Sequence, residues 1–334
     1  MTSPTLLTGA TGFVGAAVAR ALIARGHAVR ALVRPGAMLD NIDGLPIERV
    51  HGDLRDHASL RAAVRGCATV VHVAADYRLW VPDPASLRAV NVDGTVALLT
   101  AAQEAGVARM VYCSSVAALG HEPDGSPASE TSPVGTVIGH YKQSKYAAEQ
   151  AVLGLIAKRG LPCVIVNPST PIGPRDIKPT PTGRMIADAA AGRMPAYVAT
   201  GLNIVHVDDV AAGHVLALER GRIGERYILG GTDHAMAEIL AMVNEIVGRR
   251  SRPVRLTVPM LWPLAIGAEF AARLFGIEPL VTRDHLRMAR HTMFFSSAKA
   301  QAELGYTYRP ACQAIADAIS WFAAHGRLAR PRAS

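Results

Sequence analysis

Through its first half the chain alternates short apolar runs with helical patterns, and that alternation leaves few folds open. The runs Thr5–Thr8, Ala28–Val33, Ile47–His51, Thr69–Val73, Met110–Ser114 and Cys163–Asn167 read as strands. Helical patterns lie between them near 13–25, 57–65, 85–105 and 141–159. Strands separated by helices predict a parallel sheet with helices on both faces. A continuous apolar run such as Cys163-Val164-Ile165-Val166 suits a sheet buried on both sides. Right-handed crossovers then give a doubly wound sheet that receives ligands outside the carboxyl ends of its strands.

The first strand enters Thr8-Gly9-Ala10-Thr11-Gly12-Phe13-Val14-Gly15, and an Ala-rich helical stretch follows at once. A helix N-terminus presents unpaired N–H groups and the positive end of its dipole, so it attracts phosphate. Glycine lets the backbone turn tightly and lets a pyrophosphate approach without meeting a Cβ. The spacing Gly-x-x-Gly-x-x-Gly departs from Gly-x-Gly-x-x-Gly. Its place at the first strand-to-helix junction nonetheless points to a dinucleotide.

The alternation ends at Pro168, where Pro168, Pro171, Pro174, Pro179 and Pro181 with Gly173 and Gly183 make a long loop. Long ordered loops are often functional. The fold class expected is α/β: a Rossmann-type doubly wound parallel sheet with a smaller C-terminal α/β substrate domain. Residues 1–168, with a returning segment at about 203–220, would form the dinucleotide-binding domain. Residues 169–202 and 221–330 would mainly form the substrate domain.

Half of the 334 residues are hydrophobic, enough for a sizeable core. The formal charge of +8 is spread along the chain without a dense Lys/Arg block. Nucleic acid is therefore not an expected partner, and the charge reads as attraction for small anionic ligands. Cys67, Cys113, Cys163 and Cys312 are far apart, which argues for reduced thiols in a cytoplasm-like compartment. Twelve histidines show no metal-ligand spacing, so no metal is expected. No signal peptide is visible. The most apolar stretch, Val258–Ile277, is broken by Pro259, Pro263, Glu269 and Arg273 and does not read as a spanning helix. It reads as a core helix or as a face touching a membrane surface or a bulky apolar substrate.

Tyr141 and Lys145 stand four apart at the start of a helical pattern and share one face. An ammonium beside a phenol favours phenolate, which fits proton exchange with an alcohol or carbonyl oxygen. Ser114 and Ser115 close the fifth strand, where a hydroxyl could hold the reacting oxygen; Ser115 is the preferred candidate.

Together these segments resemble the extended short-chain dehydrogenases/reductases, the NAD-dependent epimerase/dehydratase family. The resemblance rests on Thr8–Gly15, Gly52-Asp53-Leu54, His72-Val73-Ala74-Ala75, Asn91-Val92-Asp93-Gly94-Thr95, Ser114-Ser115 and Tyr141-x-x-x-Lys145, in the family's order, and covers nearly the whole chain. Further segments, among them Ala75–Trp80, Asn167–Pro174, Pro179–Arg184 and Met293–Lys299, look like the dihydroflavonol-reductase-like proteins labelled hopanoid-associated sugar epimerase. The resemblance implies Ser115, Tyr141 and Lys145 as catalytic residues, Tyr141 being the acid/base and Lys145 bonding the nicotinamide ribose. It implies Gly9, Gly12 and Gly15, with the Phe13 and Val14 amides, around the pyrophosphate. Asp53 and Leu54 would meet the adenine, Ala74 and Ala75 would pack along the cofactor, and Pro168 would lie near the nicotinamide. Asn91 is either structural or part of the active-site network.

The second strand ends in Arg34-Pro35 with no acidic residue before Asp40. A guanidinium there suits a ribose 2′-phosphate, so NADP(H) is favoured over NAD(H). Arg30 either assists or lies at the surface. Tyr77, Arg78, Trp80 and Asn167 are substrate-side candidates; the first three fit a sugar or polyol, or simply a packed loop. His206 and His140 are weaker candidates, and Asp209 reads as a helix cap. The leading function is NADP(H)-dependent hydride transfer at a secondary alcohol or carbonyl carbon of a sugar-like or polyol substrate, in hopanoid lipid biosynthesis. The alternatives are a sugar epimerase with tightly bound NAD(P) and no net redox change, and a non-catalytic dinucleotide sensor. A cytoplasmic location is expected, with peripheral contact at the inner membrane and a homodimer both compatible with the reading.

Overall fold

In the computed structural model, residues 3–78, 81, 83–250, 253–275, 283–288 and 292–328 are described. Twelve strands are found among them: β1 (Thr5–Thr8), β2 (Val29–Val33), β3 (Ile47–His51), β4 (Thr69–His72), β5 (Arg109–Cys113), β6 (Cys163–Pro168), β7 (Thr170–Ile172), β8 (Ala196–Val198), β9 (Gly201–His206), β10 (Arg226–Leu229), β11 (Thr232–Ala235) and β12 (Val254–Leu256). The helices are α1 (Phe13–Ala24), α2 (His57–Val64), α3 (Pro84–Arg88), α4 (Gly94–Glu104), α5 (His140–Arg159), α6 (Pro181–Ala190), α7 (Val207–Arg220), α8 (Met236–Ile246), α9 (Val258–Phe275), α10 (Arg283–Met288), α11 (Ala298–Leu304) and α12 (Ala311–Ala324).

Seven strands pair in parallel in the order β10-β6-β5-β4-β1-β2-β3. Strand side chains alternate between faces. Leu6, Val70, Met110, Tyr112 and Ile165 therefore pack with the layer that includes α2, α4 and α5. Leu7, Val71, Val111, Cys113, Val164 and Val166 pack with α1 and α7 on the other face. Both faces are covered, which explains the unbroken apolar sequence of these strands. The order reverses between β1 and β4, so the carboxyl ends of these two strands flank the crevice where such sheets take ligands.

A second sheet, β11-β9-β7, and a parallel pair, β12-β8, follow. Ile172, Ile186, Ile239, Ile315 and Phe322 join the second sheet to α6, α8 and α12 in a separate core. The α/β class, with a doubly wound sheet and a smaller C-terminal α/β part, is thus the observed architecture. The sequence pattern puts 221–330 mainly in the smaller part, whereas Arg226–Leu229 joins the large sheet as its seventh strand. The helical pattern at 85–105 is also not continuous. It is α3, a π-helical turn over Ala89–Asp93, and α4. The wide turn brings Asn91 inward, where it is 1% exposed.

Among the described residues no helix is long and apolar enough to cross a membrane. Met260, Leu264 and Ile266 expose an apolar edge on α9, and Ile277 lies outside the described residues.

Gly9 and Gly15 are the glycines whose lack of a side chain shapes the sheet edge. Gly9 has φ +77°, and a Cβ there would lie 2.7 Å from the Ala74 nitrogen. A Cβ on Gly15 would overlap the Gly9 carbonyl. Gly26 has a similar φ of +80° but nothing nearby. Gly26→Ala is expected to cost about 1 kcal/mol. Gly15→Ala is expected to cost about 1–3 kcal/mol or more, because the backbone itself must move. Denaturant unfolding of the two variants checks the ranking, and equal costs would contradict it.

Candidate active site

The turn after β1 is held by a Gly12 N–H donating to the Gly9 carbonyl at 2.9 Å. Gly12 is the N-cap of α1, Phe13 and Val14 fill its first turn, and no acidic side chain lies there. The cradle that Cβ atoms at Gly9 and Gly15 would fill, facing an uncompensated helix N-terminus, fits a dinucleotide pyrophosphate. Ala74 and Ala75 follow β4 directly beside this turn, and the Ala74 N–H donates to Thr8 Oγ1 at 3.1 Å. Thr8 Oγ1 also lies 2.7 Å from His72 Nδ1, whose Nε2 is 2.9 Å from Thr95 Oγ1. Burial, with the Lys145 charge nearby, holds His72 down at about 3, so it is a neutral structural link.

At the next strand ends, Asp53 accepts two 2.9 Å hydrogen bonds from the Arg55 guanidinium. Its carboxyl is held at about 2 by Arg55, with a further contribution from the Arg34 charge. Leu54 is buried against Gly94, where a Cβ would lie 2.8 Å from Leu54 Cβ. Arg34 is exposed just beyond β2 and acts on both Asp53 and Asp76. Arg30 turns away to Glu48 and to the carbonyls of Ala63 and Arg65.

Ser115 caps the short helical turn Val116–Ala118 by accepting from the Ala117 N–H at 3.1 Å. Of the two candidate serines, Ser115 is the one whose hydroxyl acts on Tyr141, lowering its pKa against burial, and Ser114 is buried just past β5. Burial pushes Tyr141 up to about 12, partly offset by the Ser115 hydrogen bond. Lys145 has partners other than those the one-face spacing suggests. Its Nζ donates to the Cys113 carbonyl at 3.0 Å and to the Tyr112 hydroxyl at 3.4 Å. Its long stem crosses from α5 to β5, and burial lowers its pKa.

Behind this pair lies a buried charge that sequence reasoning missed. Glu149 is fully buried one turn past Lys145. Its Oε2 accepts from Asn167 Nδ2 at 2.7 Å, and its Oε1 meets Arg226 at 3.2 Å. Asn167 Nδ2 also donates to the Ser115 carbonyl at 3.1 Å. Asn167 is thus fully buried in a support network rather than open on the substrate side, because β6 is covered on both faces. Pro168 ends β6 opposite Leu229. Asn91 exchanges hydrogen bonds with the Asp76 backbone and donates to Ser144 Oγ, which donates to the Tyr141 carbonyl. The loop after β4 is therefore tied to the first turn of α5. The sequence signal for Glu149 was its place four residues after Lys145, on the same helix face.

On the outer side Tyr77 is 45% exposed, and Arg78 is folded back onto Asp76 with Nε–Oδ1 2.9 Å. Trp80 lies outside the described residues. Tyr77 feels the charges of Asp176 and Arg184 from the proline-rich loop. Asp176 is buried; its Oδ2 accepts from the Thr180 N–H and hydroxyl, both at 2.8 Å, in space left by Gly183. His140 is exposed at the start of α5. His206 is buried, with its Nε2 3.2 Å from Asp317, and its side chain, not that of Asp209, caps α7. Asp209 instead binds Arg309. Among the described residues no group of three or more His, Cys, Asp or Glu could hold a metal.

Glu149→Ala is expected to destabilise by about 3–5 kcal/mol, because it strands Arg226 and the Asn167 amide. Equilibrium unfolding checks this, and a cost below about 1 kcal/mol would remove the network from the account. Burial raises Asp176 to about 6 from an ordinary 3.8. The folded state therefore holds this proton more tightly than the unfolded chain. Stability is favoured below about pH 4 and is lost as pH rises through about 6, by about 3 kcal/mol. Asp176→Asn should gain on the parent protein as pH rises from about 4 to about 7, in thermal unfolding; a pH-independent difference would contradict this.

The family model described as "NAD dependent epimerase/dehydratase family" matches residues 5–230. The crystal structure of gox2253 is 58% identical in sequence with a TM-score of 0.89, covering 98% of this chain and 100% of that one. The Synechocystis sp. protein named "Putative dihydroflavonol 4-reductase" is 47% identical over 96% of this chain and 94% of its own length. The Thermus thermophilus UDP-glucose 4-epimerase, solved in complex with NAD, is 25% identical with a TM-score of 0.76, covering 96% of this chain and 99% of that one.

These findings correct the cofactor preference expected from Arg34. The family is described as NAD dependent, and similar folds have been solved with NAD. Two carboxylates supplied by other strand ends, Asp53 and Asp76, lie within reach of the Arg34 charge, although each is bonded to its own arginine, Arg55 or Arg78. Acidic groups thus stand at this edge as an NAD site allows, and reading along the second strand alone does not reveal them. The chain belongs to the NAD dependent epimerase/dehydratase family and is an enzyme that works with a nicotinamide dinucleotide.

Proposed function

We propose that this enzyme is an epimerase acting on a sugar-like substrate, oxidising a secondary alcohol and reducing the ketone on its opposite face with no net change in NAD. The observation that carries the reading is the Ser115 hydroxyl acting on the buried Tyr141 phenol, within a chain of the NAD dependent epimerase/dehydratase family. Gly9, Gly12 and Gly15 with the Phe13 and Val14 amides would hold the pyrophosphate, Asp53 and Leu54 the adenosine end, and Ala74, Ala75 and Pro168 the walls. NAD supplies hydride acceptance and return at the substrate carbon.

Ser115 orients the substrate oxygen, and Tyr141 moves its proton. A phenol pushed to about 12 is protonated at neutral pH, so Tyr141 is set to donate to a ketone oxygen. In the oxidative direction the Ser115 hydroxyl favours the phenolate, while Lys145, one turn away on the same helix, is held on the Cys113 carbonyl and the Tyr112 hydroxyl. Residues 1–168 with 203–220 serve as the dinucleotide-binding part, and 169–202 with 221–330 mainly as the substrate part. Tyr77 and Arg78 line the substrate side, and resemblance to hopanoid-associated proteins favours a sugar or polyol attached to a polycyclic lipid. A second reading, net reduction of a carbonyl, is favoured by the reductase name of the 47% identical Synechocystis relative.

The test follows product and NADH together as the enzyme, loaded with NAD in one arm and supplied with NADH in the other, acts on nucleotide-sugars and on sugar- or polyol-bearing polycyclic lipids. An epimer formed without NADH accumulation supports the proposal, whereas NADH consumed in step with product establishes the reductase. Tyr141→Phe should lower kcat by about 100-fold to 10,000-fold while NAD remains bound. Retained activity would remove Tyr141 from the chemistry.

A further inference from the structure

On the outer side of the glycine turn lies a half-open cavity of about 410 Å³, lined by Arg20, Asp40, Asn41, Arg175, Ile177, Trp321, His325 and Arg327. Its wall is drawn from α1, the segment after β2, the proline-rich loop and the end of α12. Three guanidiniums converge there. Arg20 is held by the carbonyls of Ala16 and Asn41 at 3.0 and 2.8 Å, so it cannot swing away to solvent without losing both. Burial and the charge of Arg175 both work against its cationic form, and the Asp208 carboxylate offsets them in part. Arg175 is bonded to that Asp208 at 2.9 Å. Arg175 also has φ +72°, the one non-glycine residue among those described to take the left-handed region. Such a conformation costs about 1–3 kcal/mol and persists where surrounding structure or function holds it.

Asp40 lines the same cavity from an exposed position. Three arginines against Asp40 and the neighbouring Asp208 leave the cavity cationic. On the far wall Trp321 and His325 are stacked, with ring centroids 4.2 Å apart and planes 20° from parallel. Asn41 is 5% exposed, and its Oδ1 has no hydrogen-bond partner. Its amide nitrogen donates to the Thr11 carbonyl in the glycine turn at 3.2 Å.

We propose that this cavity is a second ligand site, for a phosphate-bearing metabolite of mononucleotide size with a flat ring. The arginines answer the phosphate through charge-assisted, planar hydrogen bonds. The Trp321–His325 pair offers a platform for the ring, and the volume lies within the range of small-molecule sites, well above the needs of a bare ion. The cavity shares no lining residue with the Ser115–Tyr141 centre, and the proposal does not depend on which reaction that centre performs.

The probes are AMP and inorganic phosphate, added to the enzyme saturated with NAD so that AMP cannot occupy the cofactor's adenine site. Binding is read by titration calorimetry and by tryptophan quenching, with Trp321→Phe to assign the signal. The result expected is saturable AMP binding at least tenfold tighter than phosphate, with quenching lost in Trp321→Phe. Arg175→Gly keeps the left-handed backbone without strain and removes the guanidinium. Combined with Arg327→Gln, it should weaken AMP at least tenfold while NAD retention and turnover stay unchanged. No saturable AMP binding, or AMP binding indifferent to the double substitution, would overturn the proposal. Phosphate binding as tightly as AMP would overturn the recognition of a ring.

Discussion

The candidate centre depends on one buried carboxylate. Glu149 sits at zero exposure inside the layer between α5 and the sheet, where an unpaired charge would be costly. Arg226 from β10 and the amide of Asn167 from β6 answer it. Through Asn167 the same interaction reaches the Ser115 carbonyl. One helix and two strands are thereby held at the point where the Ser115 and Tyr141 hydroxyls meet. The carboxylate also offsets the penalty that burial places on the Lys145 ammonium.

A second layer of restraint comes from the other side. Asn91, turned inward by a single π-helical turn, joins the loop after β4 to Ser144 in the first turns of α5. Thr8, His72 and Thr95 tie β1, β4 and α4 together beneath the glycine turn. With the His72 ring neutral, this link carries no charge into the centre of the sheet. The cradle and the hydroxyl pair are therefore positioned by buried polar side chains behind them.

Much of this was legible in the sequence where a local rule decides the outcome. Short apolar runs located six of the seven strands of the large sheet, and the glycine spacing marked the turn where Cβ atoms do not fit. Arg226–Leu229 escaped because four residues with an arginine at their head give a weak strand signal. Glu149 escaped because a carboxylate on a helix reads as solvated until its partners, 18 and 77 residues away along the chain, are known. Arg34 misled for the same reason: its carboxylate neighbours arrive from other strands. The pairing of Lys145 with β5 rather than with Tyr141 is a matter of where a long stem points, which spacing alone does not determine.

The way β10 enters the large sheet constrains how a ligand arrives. The chain passes from the large sheet to the small one between β6 and β7, returns through α7 to β10, and leaves again at once for β11. Neighbouring strands of the two sheets are thus separated by only one or two residues at both departures, with Gly230 pinned to Ser297 and Gly231 to Asn203. A hinge needs a few free backbone dihedrals where the bodies join, and here those dihedrals are tied down by buried hydrogen bonds. Clamshell opening between the two sheets is therefore disfavoured. The loops carrying Tyr77 and Asp176 therefore approach each other across a junction that is itself tied down.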